Sequence, residues 1–205
     1  MLRRSWLIGV CLLVPLSLSA QNLLKNSSFN TDAIGWATSQ NTIWENAEDH
    51  HGNADDPPGG SLRISTTDVD FAEQCVTVSP LTEYVIDAWI EKDPNSIFAP
   101  CTGGNWSFEV IFWSDSECHT DQVGNIAGVQ TGDGSLAEGW NRKTLVGQTP
   151  ITAAGAQVQL AATCSQSNGV ALYYIDDITL QPDAIFASGF EMPPPVIHPQ
   201  QPPTP

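Results

Sequence analysis

Apolar residues recur at every second position in short runs, and no stretch holds a helical 3.6-residue period for three turns. Runs of that kind, separated by Gly, Pro, Asn and Asp, predict an all-β fold, a sandwich or barrel. The pattern predicts strands at Asn22–Lys25, Trp36–Thr38, Ile43–Glu45, Ser61–Thr66, Phe71–Val78, Tyr84–Glu91, Trp106–Trp113, Trp140–Val146, Gln157–Cys164 and Leu172–Leu180. A further short strand is expected near Val123–Val129, inside a region that otherwise reads as loop. The turn from Val78 to Tyr84 is expected to close a hairpin, and Glu45–Gly60 reads as a long acidic loop.

Alternation also sorts faces. In Tyr84–Glu91, the residues Tyr84, Ile86, Ala88 and Ile90 face the core, so Val85, Asp87, Trp89 and Glu91 face outward. In Trp106–Trp113, the core face is Trp106, Phe108, Val110 and Phe112, leaving Ser107, Glu109, Ile111 and Trp113 outside. Each strand therefore presents an indole two or four residues from a carboxylate. If the two strands share a sheet, Asp87, Trp89, Glu109 and Trp113 make one surface, with Tyr173 a weaker addition. The last strand, Leu-Tyr-Tyr-Ile-Asp-Asp-Ile-Thr-Leu, is apolar on both faces, as a strand inside a sheet would be. Strict alternation puts Leu172, Tyr174, Asp176, Ile178 and Leu180 on one side. Two adjacent carboxylates there need solvent, a partner or a metal, because buried charge is otherwise costly.

The first 20 residues read as a secretory leader: Met-Leu-Arg-Arg, an apolar stretch from Trp6, then Ser19-Ala20. Without them the chain carries 5 basic and 23 acidic residues, a net charge of −18. Such a field argues against nucleic acid and anionic membranes and suits neutral ligands and cations. No later run is long enough to enter a membrane. A monomer that is secreted, periplasmic or on the cell surface is expected. About 160 residues, 21–182, make one domain. Residues 183–205 hold an Ile-Phe-x-x-Gly-Phe-Glu segment and a Pro-rich tail expected to be disordered.

Four cysteines follow the leader, Cys75, Cys101, Cys118 and Cys164, and in an exported chain they predict two disulfides. Zinc is not expected, since no CxxC pair occurs. Cys101 and Cys118 flank a strand whose ends lie roughly 25 Å apart at about 3.3 Å per residue. That disfavours joining them, and the favoured pairs are Cys75–Cys118 and Cys101–Cys164.

An ordered set of short motifs carries a family resemblance. Asn22-Leu-Leu-Lys-Asn-Ser-Ser-Phe-Asn30 is similar to an Asn-Leu-x-x-Asn-x-x-Phe-Glu opening. Gly35-Trp36, Gly59-Gly-Ser-Leu-Arg-Ile64, Phe71-Ala-Glu-Gln74, Tyr84-Val-Ile-Asp-Ala-Trp89, Trp140 and Tyr174-Ile-Asp-Asp-Ile-Thr-Leu180 follow in order. Together they resemble the carbohydrate-binding modules of families 4, 9 and 22, galactose-binding-like jelly rolls. The resemblance implies a two-sheet antiparallel sandwich with the first and last strands adjacent. It also implies a polysaccharide or glycoconjugate partner and a structural calcium near those strands, with Asn30, Asp176 and Asp177 as candidate ligands. Asn30 stands where the family has Glu; an amide oxygen ligates calcium without adding charge. The same resemblance places Trp36, Trp44 and Trp140 among packing positions. The loop Glu48–Asp56 is a second place for a cation, or simply a solvated acidic loop.

Three functions fit this reading: a non-catalytic glycan-binding domain, an extracellular protein-interaction domain, and a glycan-cleaving enzyme using Asp87 and Glu109. The first is expected. The sequence holds no Gly-x-Ser-x-Gly, no His-Glu-x-x-His and no phosphate-binding Gly loop.

Overall fold

The computed structural model describes residues 21–46, 48–51, 59–93, 105–130, 136–164 and 170–183. The expected leader and C-terminal tail lie outside the described residues. Among the described residues, ten strands form two antiparallel sheets of five. They are β1 (Ala37–Thr38), β2 (Thr42–Glu45), β3 (Ser61–Thr66), β4 (Val69–Thr77), β5 (Glu83–Lys92), β6 (Asn105–Trp113), β7 (Gln122–Gln130), β8 (Asn141–Gln148), β9 (Gly155–Thr163) and β10 (Ala171–Pro182). One sheet, here sheet A, has the order β1-β4-β9-β6-β7; sheet B has β2-β3-β10-β5-β8. The inner faces meet in one core. Sheet A contributes Trp106, Phe108, Val110 and Phe112 with Ala156, Val158, Leu160 and Ala162. Sheet B contributes Tyr84, Ile86, Ala88 and Ile90 with Leu62 and Ile64.

Three expectations change. Asn22–Lys25 is not a strand. Its contact with β10 runs instead through one backbone bond, Leu23 N–H to Leu180 O at 2.9 Å, and through the Asn22 amide. That amide donates to Ile178 O and accepts from Leu180 N–H. Asn26 and Phe29 have positive φ, which bends the segment away from a ladder. β7 is a full nine-residue strand, longer than expected. The segment Val78–Tyr84 is not a hairpin, because β4 lies in sheet A and β5 in sheet B. Its backbone groups bond to the neighbouring crossover: Val78 N–H to Ala154 O, Leu81 N–H to Thr149 O and Thr149 N–H to Thr82 O. Two arches brace each other where a turn closed on itself was expected.

The decisive local feature is in β10. Its register with β5 slips between Asp176 and Thr179, and Asp177 sits in the left-handed region at φ +48°. This is a bulge, and it reverses the alternation. Tyr173 and Ile175 face the core before it, and Ile178 and Leu180 face the core after it. Strict alternation had put those two pairs on opposite sides.

Cys75 and Cys118 are joined, with Cα atoms 6.1 Å apart, as favoured. Cys164 is also disulfide-bonded; Cys101, its expected partner, lies outside the described residues.

Candidate functional site

Both expected indoles stand on outer faces, but on opposite sides of the sandwich. Trp89 and Asp87 belong to β5 in sheet B, and Trp113 and Glu109 to β6 in sheet A. The single surface of Asp87, Trp89, Glu109 and Trp113 does not form. The hydrolytic pairing of Asp87 with Glu109 fails for the same reason. Two sheets packed about 10 Å apart, with both side chains pointing away from the core, exceed the spacing of roughly 5–9.5 Å that glycosidase carboxylates need. Tyr173 is 1% exposed and belongs to the core, so it joins neither face.

The outer face of sheet B is covered around Trp89, while Val146 on β8 and Ile43 on β2 stay exposed. Asp87 is buried and held by a two-point bond from Arg142, Nε at 3.1 Å and Nη2 at 2.9 Å, with the Thr144 hydroxyl as a third donor. The loop 48–51 lies over the strands beside it. His50 stacks on Trp89 with ring centroids 3.8 Å apart and planes 22° from parallel, and its ring edge meets Trp140. Under this cover Glu91 and Tyr174 are buried although alternation faces them outward. Burial, then the charges of Glu48 and Asp93, pushes the Glu91 carboxyl up.

The same loop reaches the bulge, so the two candidate cation places merge into one. His50 N–H donates to Asp176 Oδ2 at 3.2 Å, and Asp177 N–H donates to Asp176 Oδ1 at 2.7 Å. Asp176 is 1% exposed. Burial, then the neighbouring Asp177 charge, pushes its carboxyl up to about 8. Asp49 has a side chain only 4% exposed. A Cβ added to Gly59 would stand 2.3 Å from Asp49 Oδ2 and 3.3 Å from Asn30 Oδ1, so both oxygens border one small space. Asp49 borders Asn30 and acts on Asp176 through its charge, and carboxylate and amide oxygens of this kind are the donors a hard ion such as calcium takes. The family resemblance singled out Asn30, Asp176 and Asp177, and the loop Glu48–Asp56, which contains Asp49, was the second expected cation place; what the sequence did not show is that this loop would reach the bulge.

The outer face of sheet A is open and polar. Pairing aligns Glu73 on β4 with Gln159 on β9, and Gln159 with Glu109 on β6. The adjacent outward row holds Cys75, Gln157 and Ile111, and Ser107 stands opposite Ala161. None of these side chains is buried. Gln159 Nε2 donates to Glu73 Oε2 at 3.1 Å. Trp113 donates its indole N–H to Gln157 Oε1 at 3.1 Å, which fixes the ring beside the row. A cavity of about 230 Å³ opens at one end, lined by Gly35, Glu73, Gln157, Glu117 and His119 among others. Another of about 260 Å³ opens at the far end, by Asn105, Trp106, Ser107 and Thr163. From Gln157 to Thr163 the strand runs roughly 20 Å at about 3.3 Å per residue. Glu73, Gln157 and Gln159 were missed by sequence reasoning, although period two in β4 and β9 puts them all outward.

Trp36 and Trp44 pin the N-terminal segment, donating indole N–H groups to Asn26 O and Phe29 O. Among the described residues, no helix is long and apolar enough to cross a membrane.

No protein-family model matches the sequence, and no curated protein matches it. Solved structures do match in shape. A family 16 carbohydrate-binding module superposes over 78% of this chain and 99% of its own, with TM-score 0.53 and 17% identity. The CBM22-1 xylan-binding domain from Paenibacillus barcinonensis covers 80% and 96%, with TM-score 0.52 and 13% identity. A Stig cyclase from Fischerella sp. TAU covers 80% and 98%, with TM-score 0.51 and 11% identity. Binding modules and an enzyme thus share this architecture, and the likeness speaks to fold. The chain has the jelly-roll sandwich fold of the carbohydrate-binding modules.

Proposed function

We propose that this is an exported, non-catalytic domain that binds an extended neutral glycan across the outer face of sheet A. The observation that carries the reading is the contrast between faces. On sheet B the indole is covered by the chain's own loop and Asp87 is tied up by Arg142. Sheet A presents an anchored indole beside an uncovered row of amides, carboxylates and a hydroxyl, with a cavity at each end. Trp113 would offer its face to the C–H side of a sugar ring, while Glu109, Gln157, Gln159, Glu73 and Ser107 would bond hydroxyls. Carboxylates and amide oxygens accept from hydroxyls, and the amide nitrogens donate. A uronic-acid polymer would meet the negative field of this chain, so a neutral polymer fits better. The xylan-binding and family 16 neighbours support the ligand class. The Cys75–Cys118 disulfide supports an oxidising compartment.

Retention on native gels containing soluble xylan, mannan, galactan or mixed-linkage β-glucan tests this. Slowed migration on at least one polymer, lost in Glu109→Ala, is expected. Unretarded migration of folded protein on all of them overturns it.

Calcium is part of the proposal. Asn30, Asp49, Asp176 and Asp177 would hold it, and it would supply the positive charge that joins the loop 48–51 to the β10 bulge.

A further inference from the structure

The bulge and its covering loop also bring together two imidazoles and a carboxylate. His50 Nδ1 lies 2.8 Å from Asp177 Oδ2, and His51 Nδ1 lies 3.3 Å from the same oxygen. All three donor atoms lie within 4.8 Å of one another. We propose that His50, His51 and Asp177 form a site for a borderline divalent cation of the zinc, cobalt and nickel class. It shares Asp177 with the proposed oxygen-only calcium set, differs from it in its nitrogen donors, and is independent of the glycan face.

The geometry is close to what such an ion needs. Zinc binds imidazole nitrogen at about 2.0–2.1 Å and carboxylate oxygen at about 2.0–2.2 Å, which sets tetrahedral ligands roughly 3.3 Å apart. The spacings here reach that shell with side-chain movements of an ångström or less. His50 is already oriented by the Trp89 stack and the Trp140 edge, so little freedom is lost on binding. The His51 side chain is 53% exposed.

Electrostatics supply the drive. Asp49 and Asp177 pair with the imidazoles, and Asp176, held by the backbone N–H groups of His50 and Asp177, stands beside them. Asp49 Oδ1 is itself 3.9 Å from His51 Nδ1. A divalent ion brings two positive charges to these carboxylates. Hard oxygen donors select calcium, while imidazole favours zinc, cobalt and nickel. The nitrogen donors are therefore what separates the two sites experimentally.

The test is titration calorimetry of the chelator-stripped protein with Zn²⁺ alone, and Co²⁺ titration followed by visible absorption. One Zn²⁺ per chain is expected, with Co²⁺ giving d–d bands of a site with nitrogen ligands. His50→Gln with His51→Gln should weaken Zn²⁺ binding at least about 100-fold and remove those bands. His51→Gln alone keeps the Trp89 stack and serves if the double variant misfolds; it should cost about 10-fold or more. Ca²⁺ binding, measured in parallel, should survive His51→Gln. Absence of Zn²⁺ binding, or binding unchanged in the folded His51→Gln variant, overturns the site.

Discussion

Asp177 is the residue on which both proposed cation sites and the β10 register turn. It occupies left-handed backbone space at φ +48°, which costs most non-glycine residues about 1–2 kcal/mol and is eased for Asp and Asn by local bonding. Asp177→Ala should therefore destabilise the chelator-treated protein by about 1 kcal/mol in urea unfolding. Asp177→Gly, free of the Cβ, should cost less than the alanine. Equal losses would mean that the carboxylate, not the backbone, sets the cost. Asp176 next to it gives a pH signature. Its carboxyl is raised to about 8 in the folded chain and unfolds to an ordinary carboxylate near 4. Between those values the folded state holds a proton that the unfolded state has released. The contribution of this group is then full at low pH and is lost as pH climbs toward 8, by an amount on the order of a few kcal/mol. Glu91, raised by burial, adds in the same direction. In chelator-treated protein the melting temperature should fall from pH 5 to pH 8, and Asp176→Asn should flatten that slope. A melting temperature that rises over this range would contradict the assignment.

At the scale of elements, the crossovers matter more than the strands they join. β4 and β5 are linked by an arch, and the arch at 149–154 bonds back to it. Gly155 opens β9 at this junction, and a Cβ there would stand 2.3 Å from the Asp115 backbone oxygen and 3.1 Å from Cys118 Sγ. Backbone and a disulfide sulfur cannot swing aside as a flexible side chain would. Gly155→Ala should cost about 1–3 kcal/mol by overpacking, read as a lower urea midpoint with unchanged slope. No change would show that the 114–118 loop adjusts freely. The strands were mostly legible because alternation and turn residues are local properties. Outward Trp89, Asp87, Glu109 and Trp113 follow directly from period two. The sheet each strand joins does not, because β4 to β5 reads equally well as hairpin or arch. The bulge was hidden for a related reason: Asp-Asp in a strand carries no mark that distinguishes a bulge from a regular step.

At the scale of the whole molecule, the two outer faces differ. Sheet B folds its acidic loop over Trp89 and gathers two imidazoles and carboxylates at the bulge. Sheet A leaves Trp113, Glu109 and the Gln157–Gln159 amides to solvent. The resemblance of the opening and closing motifs pointed to the jelly roll, and the topology agrees. The part of the site that was illegible is the part made by long-range pairing: Glu73, Gln159 and Glu109 meet only because β4, β9 and β6 are neighbours. The loop 48–51 was equally unreadable, since nothing in an acidic, His-containing segment says which aromatic it will cover. The most direct test compares the two faces in one experiment: calorimetric titration of a retained oligosaccharide into wild type, Trp113→Ala and Trp89→Ala. An aromatic anchor at a binding centre is worth about 2 kcal/mol or more, so Trp113→Ala should lose at least roughly 30-fold in affinity while Trp89→Ala stays within a few-fold of wild type. Loss in Trp89→Ala with affinity kept in Trp113→Ala would place the ligand on the covered sheet and contradict the account.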